Sequence, residues 1–409
     1  MSTRYPGGLI RKTPPTITPP VDGEGGSAPG VWTLEQASYY TKQGTWPLPV
    51  LPKSLFSTGL NGAGQLGLND VVYRSSPVQV GALTNWSQVS GSGTGTFGIQ
   101  QNNTLWAWGA ATYGALGTGD SINRSSPVQI GALTTWSSVV SGYYCGLAIK
   151  TDGTLWAWGL NNNGQLGIDS QIATSSPVQV GSDTNWSQVS TAIYMTAAIK
   201  NNGAIYVWGA GQSSNGQLGL NDQIARSSPT QIGALTTWLN VSVGQYCTVS
   251  TKTDGTLWAW GVNAQGRLGD GTVVYRSSPV QIGALTSWSL ARTNGYRQSM
   301  ARRNDGTLWL WGSGSYGALG QNNTDSRSSP VQLGSDTNWS NEFVPLYANA
   351  MAAIKTNGTL WGWGLNSNGR LGTNNTTTYS SPVQIGSDTN WLKTSAYGLA
   401  NSNLLIKRA

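Results

Sequence analysis

Nine arginines stand where their spacing points to chemistry. Arg74, Arg124, Arg226, Arg276 and Arg327 each directly precede a Ser-Ser-Pro, and Thr174 and Tyr379 hold the same place in two further copies. If the copies surround a common axis, these five guanidiniums share one annulus, a place for phosphate, sulfate, sialic acid or an acidic protein. A structural role competes with it. Asp70, Asp120 and Asp222 lie four residues before an arginine and are placed to pair with it locally. The other four, Arg292, Arg297, Arg302 and Arg303, gather around Tyr296 in one copy, where symmetry does not account for them. Basic groups among aromatics suit an anion. Nucleic acid wants a broad positive face, which one copy does not supply, so it is not expected as a partner. Tyr73, Tyr113, Tyr275 and Tyr316, with nearby Asn, suit stacking on sugar rings or contact with protein.

Catalysis finds little to work with. The chain has no histidine, which removes imidazole bases, imidazole metal ligands and every Ser-His or Cys-His pair. Its only glutamates are Glu24, Glu35 and Glu342, and its aspartates recur in Asp-Gly turns. No Gly-rich phosphate loop or metal-ligand spacing stands out. The expectation is a protein that is not an enzyme and carries no cofactor or metal. Cys145 and Cys247 fall at one repeat position two copies apart and read as small buried hydrophobes rather than a bridge.

The elements that must position these residues follow from composition and repetition. Of 409 residues, 55 are Gly and 20 are Trp, and only 10% are charged against roughly 25% in an average globular chain. That describes an ordered, turn-rich, all-β protein. The formal charge of +7 reads as a surface property, since no long Lys/Arg run occurs. The prolines of the seven Ser-Ser-Pro segments, Pro77, Pro127, Pro177, Pro229, Pro279, Pro330 and Pro382, recur every 50 to 52 residues. Each is followed nine residues on by a tryptophan, from Trp86 to Trp391. A third signature is Leu-Trp-Ala-Trp-Gly followed by Gly-Gln-Leu-Gly, as in Leu155 to Gly167.

Within residues 125–159 the pattern gives four strands: Ser126–Ile130, Trp136–Val140, Gly146–Lys150 and Thr154–Trp158. The last two are joined by Asp152-Gly153, a pair that favours a type I′ turn. Alternation sends Leu155 and Ala157 to one face and Trp156 and Trp158 to the other, as sheets stacked face to face require. The last copy stops at Leu404-Leu405-Ile406-Lys407, one strand short, and the first opens with an orphan strand, Leu55 to Gly59. Pairing of about 55–59 with about 403–407 closes a ring of seven blades and removes the exposed edges of an open array.

Leu-Trp-Ala-Trp-Gly-x-Asn-x-x-Gly-Gln-Leu-Gly, followed by Arg-Ser-Ser-Pro-Val-Gln, resembles the RCC1 (regulator of chromosome condensation) repeat family over residues 53–409. The resemblance implies a seven-bladed RCC1-like β-propeller. The best-known activity in that family is nucleotide exchange on a small GTPase, with chromatin binding. There an insertion between blade strands wedges into the GTPase, and a histidine often precedes the third strand. Here the near-constant period leaves no wedge, and Gly95, Cys145, Met195, Cys247, Gln298, Ala350 and Ser402 stand where the histidine would be.

Residues 1–52 differ from the rest. Pro14-Pro15, Pro19-Pro20 and Gly25-Gly26 read as extended chain, with one short helix capped by Thr33 and Gln36 and ended by Gly44. Tyr5, Leu9, Trp32, Leu34, Tyr39, Tyr40 and Trp46 are costly to leave in water, so this arm is expected to grip a partner. Tyr5-Pro-Gly-Gly-Leu-Ile-Arg-Lys-Thr-Pro-Pro, with Gly30-Val-Trp-Thr-Leu-Glu-Gln and Gly44-Thr-Trp-Pro, resembles the N-termini of structural proteins of tailed phages, notably marine phages and cyanophages. That likeness implies an anchoring arm and a displayed propeller. No signal-peptide h-region or membrane span is visible, which suits a virion assembled in the host cytoplasm.

Three readings follow. In the first, the chain is a non-enzymatic virion protein, on the capsid surface or the tail, present in several copies. Its partners are other virion proteins and a host-surface protein or glycan, without membrane insertion. The second is an intracellular RCC1-like hub or exchange factor, and the third a lectin-like adhesin.

Overall fold

The computed structural model describes residues 52–209, 215–294, 296–346, 349–395 and 402–408. The arm with its expected helix and anchoring residues lies outside them. Lys53–Arg408 form one compact unit of seven four-stranded antiparallel sheets, a seven-bladed β-propeller. One blade serves as the pattern: β7 (Trp136–Ser141), β8 (Cys145–Lys150), β9 (Leu155–Gly159) and β10 (Thr174–Gln179), hydrogen-bonded in that order. The first strands of all seven blades line a central channel, so the Ser-Ser-Pro strand lies outermost. An edge strand tolerates proline because its outward side needs no amide donor.

This order corrects the four-strand unit read from residues 125–159. The strand Arg124–Gln129 belongs to the preceding blade, paired with Leu105–Gly109. The sequence repeat thus runs one strand out of phase with the blade, and each repeat ties two blades together. Closure follows the same phase. The closing blade takes β27 (Trp391–Ser395) and β28 (Ser402–Arg408) from one end of the chain, and β1 (Lys53–Gly59) and β2 (Arg74–Gln79) from the other. Strand β1 pairs with β28 along its whole length, from Lys53 opposite Arg408 to Gly59 opposite Ser402. Two strands from each end meet, rather than one completing three.

The turn type is corrected as well. Gly153 has φ +77°, but Asp152 is not in the positive-φ region, so the turn is not type I′. The Gly153 amide donates to the Lys150 carbonyl at 2.9 Å, and the Lys150 amide to the Thr154 carbonyl at 3.0 Å. This is a type I turn followed by a left-handed residue that forms a bulge. The Asp152 carboxylate accepts from the Thr154 hydroxyl and amide, and these bonds hold it below its ordinary carboxylate range. In the first copy Asn103, with φ 60°, takes the glycine's place.

Alternation in the third strand works as the pattern implies. Leu155 and Ala157 pack with Trp186 and Trp208 of the following blade. Trp156 and Trp158 pack with Phe97 and Leu105 of the preceding one. The second Trp of the motif also donates across blades: Trp158 Nε1 to the Ala115 carbonyl at 3.1 Å, and Trp208 Nε1 to that of Gln165 at 2.9 Å. The first Trp stays half-buried, with the Lys150 ammonium 3.6 Å from the Trp156 ring centroid.

Both cysteines are free and buried. Burial pushes the Cys145 thiol up to about 12 and raises that of Cys247. Neither should react with a disulfide reagent at pH 8 in the folded protein, and both should react in denaturant. Thiol titration with and without denaturant checks this; rapid labelling of the folded chain would contradict it.

Candidate binding face and central channel

Antiparallel strands fix which loops share a face. Turns between first and second strands, and loops between third and fourth, emerge at one end of the blades. The Asp-Gly turns and the Gly-Ala-Leu or Gly-Ser-Asp links emerge at the other. The first end is built on long loops, each of which reaches the next blade. The amides of Asn69, Gly119, Asp169, Asn221, Gly271, Asn322 and Asn374 donate to the carbonyls of Ser125, Ser175, Ser227, Ser277, Ser328, Ser380 and Ser75 at 2.7 to 2.9 Å. All seven donors have positive φ, which explains the choice of Asn, Asp or Gly there. At Gly114, φ +73°, a Cβ would stand 2.4 Å from Ser175 Cα. These bonds run round the whole ring, the last joining Asn374 to Ser75.

The five annular arginines lie on this face, each with a carboxylate. Arg74 pairs with Asp70. Arg124 and Arg226 meet Asp120 and Asp222 at 2.8 and 2.6 Å, Arg276 meets Asp270 at 2.7 Å, and Arg327 meets Asp325 at 3.4 Å. In three of them the guanidinium also donates to the carbonyl two residues back, as Arg124 does to Ile122 at 3.0 Å. The Asp carboxylate in turn accepts the amide of that same residue, as Asp120 does from Ile122. Burial alone would raise the Asp270 carboxyl, but hydrogen bonds from Thr272 and Arg276 outweigh it and hold the group below its ordinary range.

What these clasps hold outward is apolar. Val72, Ile122, Ile172, Ile224 and Val274 occupy one repeat position in five consecutive blades, exposed by 56–76%. Asp325 and Thr377 take that position in the other two. Tyr73, Tyr113, Tyr275 and Tyr316 are exposed on the same face. Nearer the axis, Tyr144 stacks edge-on against Tyr143 and Tyr113, at 4.3 and 5.6 Å between centroids. Of the 17 exposed large hydrophobics among the described residues, 11 lie in these long loops. The sequence showed the loop tyrosines but not the aliphatic arc. Its signal was present, a Val or Ile two places before the Ser-Ser-Pro strand in five copies, but it looked like an ordinary strand start.

The single-copy arginines are not brought together as one patch. Arg297 stacks on Tyr296 at the long-loop end. Arg302 and Arg303 stand at the far end of the strand Gln298–Arg303, about 17 Å away by strand rise. Arg302 Nε donates to the Trp339 carbonyl of the next blade at 2.6 Å, and Arg303 to Ser287 Oγ at 2.8 Å. Arg292 faces the central channel.

A cavity of about 250 Å³ lies between the first strands of all seven blades. An innermost strand presents a free edge, and neighbours cover part of it. Gln88 and Ser90 accept the amides of Val139 and Ser141 in the next blade, at 3.1 and 3.0 Å. Gln188 and Ser190 do the same for Val241 and Val243.

Comparison with known proteins agrees with this architecture. The family model for the Regulator of chromosome condensation (RCC1) repeat matches residues 54–99, 102–149, 152–199, 202–250, 254–301, 305–344 and 357–398. The chain belongs to the RCC1 repeat family. Propellers of this family generally serve as non-catalytic interaction or exchange-factor modules, and the fold is that of a binding module. Among solved RCC1-like structures, human WBSCR16 shares 18% identity at a TM-score of 0.76, over 87% of this chain and 99% of that one. Prp20p of Saccharomyces cerevisiae, described with its binding properties to Gsp1p and histones, shares 19% at 0.76, over 88% and 92%. Yeast RCC1 (Prp20) bound by Kap60 shares 17% at 0.75, over 88% and 90%. At these identities the likeness is one of fold.

Proposed function

We propose that this RCC1-repeat protein is a non-enzymatic structural component of a phage virion, anchored by residues 1–50, whose long-loop face docks a neighbouring virion protein or a host-surface protein. The observation that carries the docking role is the five-blade arc of exposed Val and Ile, held on loops clasped by Asp–Arg pairs. Exposed apolar side chains repeated around one face, with tyrosines beside them, suit a protein contact. Because each annular arginine is matched by a carboxylate, the face carries little net charge, and docking should depend weakly on salt. The virion assignment is supported by the likeness of residues 1–50 to tailed-phage structural proteins. Particles assembled with the chain lacking residues 1–50 should contain none of it by mass spectrometry and immunogold labelling, while the purified truncated protein keeps its Trp near-UV signal. Unchanged incorporation would overturn the anchoring role.

Family membership favours a second reading, an intracellular interaction hub or exchange factor. It predicts faster nucleotide release from a small GTPase in the presence of this protein. The uniform repeat length, with no wedge-sized insertion, weighs against it. The exposed tyrosines of the same face suit the lectin-like alternative, for which a glycan array is the direct assay.

A further inference from the structure

The channel breaks the symmetry of the ring. Of the residues lining it, the ionisable ones are Arg292, Glu342 and Lys393, on three consecutive blades. None of the three is in an ion pair among the described residues. The Arg292 guanidinium lies 5.9 Å from the Phe343 ring, and its buried Nε has no hydrogen-bond partner. A buried guanidinium donor left unsatisfied in a water-sized or larger space is costly unless something occupies that space. In three other blades the corresponding positions carry Gln88, Gln188, Asn240, Ser90, Ser190 and Ser242, which are spent on amides of the next blade.

Register sets the relative heights. Lys393, opposite Ile406, and Glu342, just before Phe343, lie at the level of Gln88. Arg292, opposite Met300, lies at the level of Ser90, two residues nearer the long-loop mouth, or about 7 Å along the strand. Glu342 reaches its place because the strand Trp339–Leu346 holds one extra residue before Phe343, seen as a register shift. The channel wall therefore offers a cation near the mouth, with an anion and a second cation one step deeper. Its volume falls below the roughly 300–1,000 Å³ of drug-sized sites.

We propose that this half of the channel binds a small zwitterion of amino-acid or dipeptide size, its carboxylate on Arg292 near the mouth and its ammonium on Glu342 one step deeper. A bidentate carboxylate is the partner a guanidinium matches best, and the acidic group between two cations adds selection for a ligand carrying both charges.

The test uses the full chain with glycylglycine as probe and acetate as the carboxylate-only control, followed through the Arg292 Nε–H resonance by NMR. The signal is assigned by its loss in Arg292→Lys. The expected result is a saturable shift with glycylglycine at least tenfold tighter than with acetate. Glu342→Gln, which conserves shape, should abolish that preference. No saturable shift would overturn the proposal. So would equal affinity for the two probes, or a preference that survives Glu342→Gln. None of these readouts involves incorporation into particles, so the site stands or falls apart from the virion role.

Discussion

Deleting residues 402–409 should leave a chain with no cooperative unfolding transition. Strand β28 is the sole link between β27 and β1, and it buries Leu404, Leu405 and Ile406 at 0–1% exposure. Loss of a buried Leu or Ile side chain costs about 2–5 kcal/mol. Three such losses match the entire net stability of about 5–15 kcal/mol expected of a folded domain, before counting the two strand edges laid open. The deletion should abolish the near-UV circular dichroism of the packed tryptophans and produce association. A truncated chain that melts cooperatively with a native near-UV spectrum would contradict the closure. A permutant tests the same geometry in the opposite direction. Lys53 lies opposite Arg408, so an Asn-Gly link from Arg408 to Lys53 should form a hairpin. With new ends in the exposed link Gly131–Thr135, that chain should fold.

Trp158→Ala should cost about 3–5 kcal/mol of stability. This side chain is fully buried, donates to the Ala115 carbonyl at 3.1 Å, and meets Phe97 edge-on at 5.3 Å between centroids. It joins two blades, so its loss leaves a cavity bounded by strands of both and an unsatisfied carbonyl. Two residues earlier, Trp156 is half-buried under Lys150 and donates only to Thr154 Oγ1 at 2.9 Å. Trp156→Ala should cost roughly half as much, from partial burial and a cation–π contact. Urea titration of the two variants measures the difference. Equal costs would mean that the two rings, which share one face of the strand, do not differ in burial as described.

The repeat, the number of blades and the meeting of the two chain ends could be read directly from sequence, because Ser-Ser-Pro, Trp and Trp-Ala-Trp-Gly recur at a near-constant period. The phase of the blade could not be read as easily. Four strands in a row look alike whether a sheet begins at Arg124 or at Trp136, and only pairing decides. The proline in the Ser-Ser-Pro strand was the clue, since it demands an edge. Asp152-Gly153 misled on turn type because Asp-Gly serves both a two-residue turn and a three-residue turn with a bulge. The carboxylates that meet Arg74, Arg124 and Arg226 were visible as a four-residue spacing. Asp270, six residues before Arg276, and Asp325, two before Arg327, were not, because the loop bends differently there. Arg292 stood out as part of a basic cluster, yet the ionisable groups that share the channel with it are Glu342 and Lys393, which lie 50 and 101 positions away and line it because successive blades turn their first strands to one axis.

The central claim is that the long-loop face, with its arc of exposed Val and Ile, is the surface this propeller offers to a protein partner in a virion. A photo-crosslinking benzophenone side chain placed at Ile172, exposed by 76%, tests it against the same group at Leu285 on the opposite face, exposed by 45%. In purified particles shown to contain the chain, irradiation should join Ile172 variants to a structural or host-surface protein and leave Leu285 variants free. Adducts from Leu285 with none from Ile172 would place the contact on the other face and contradict the account.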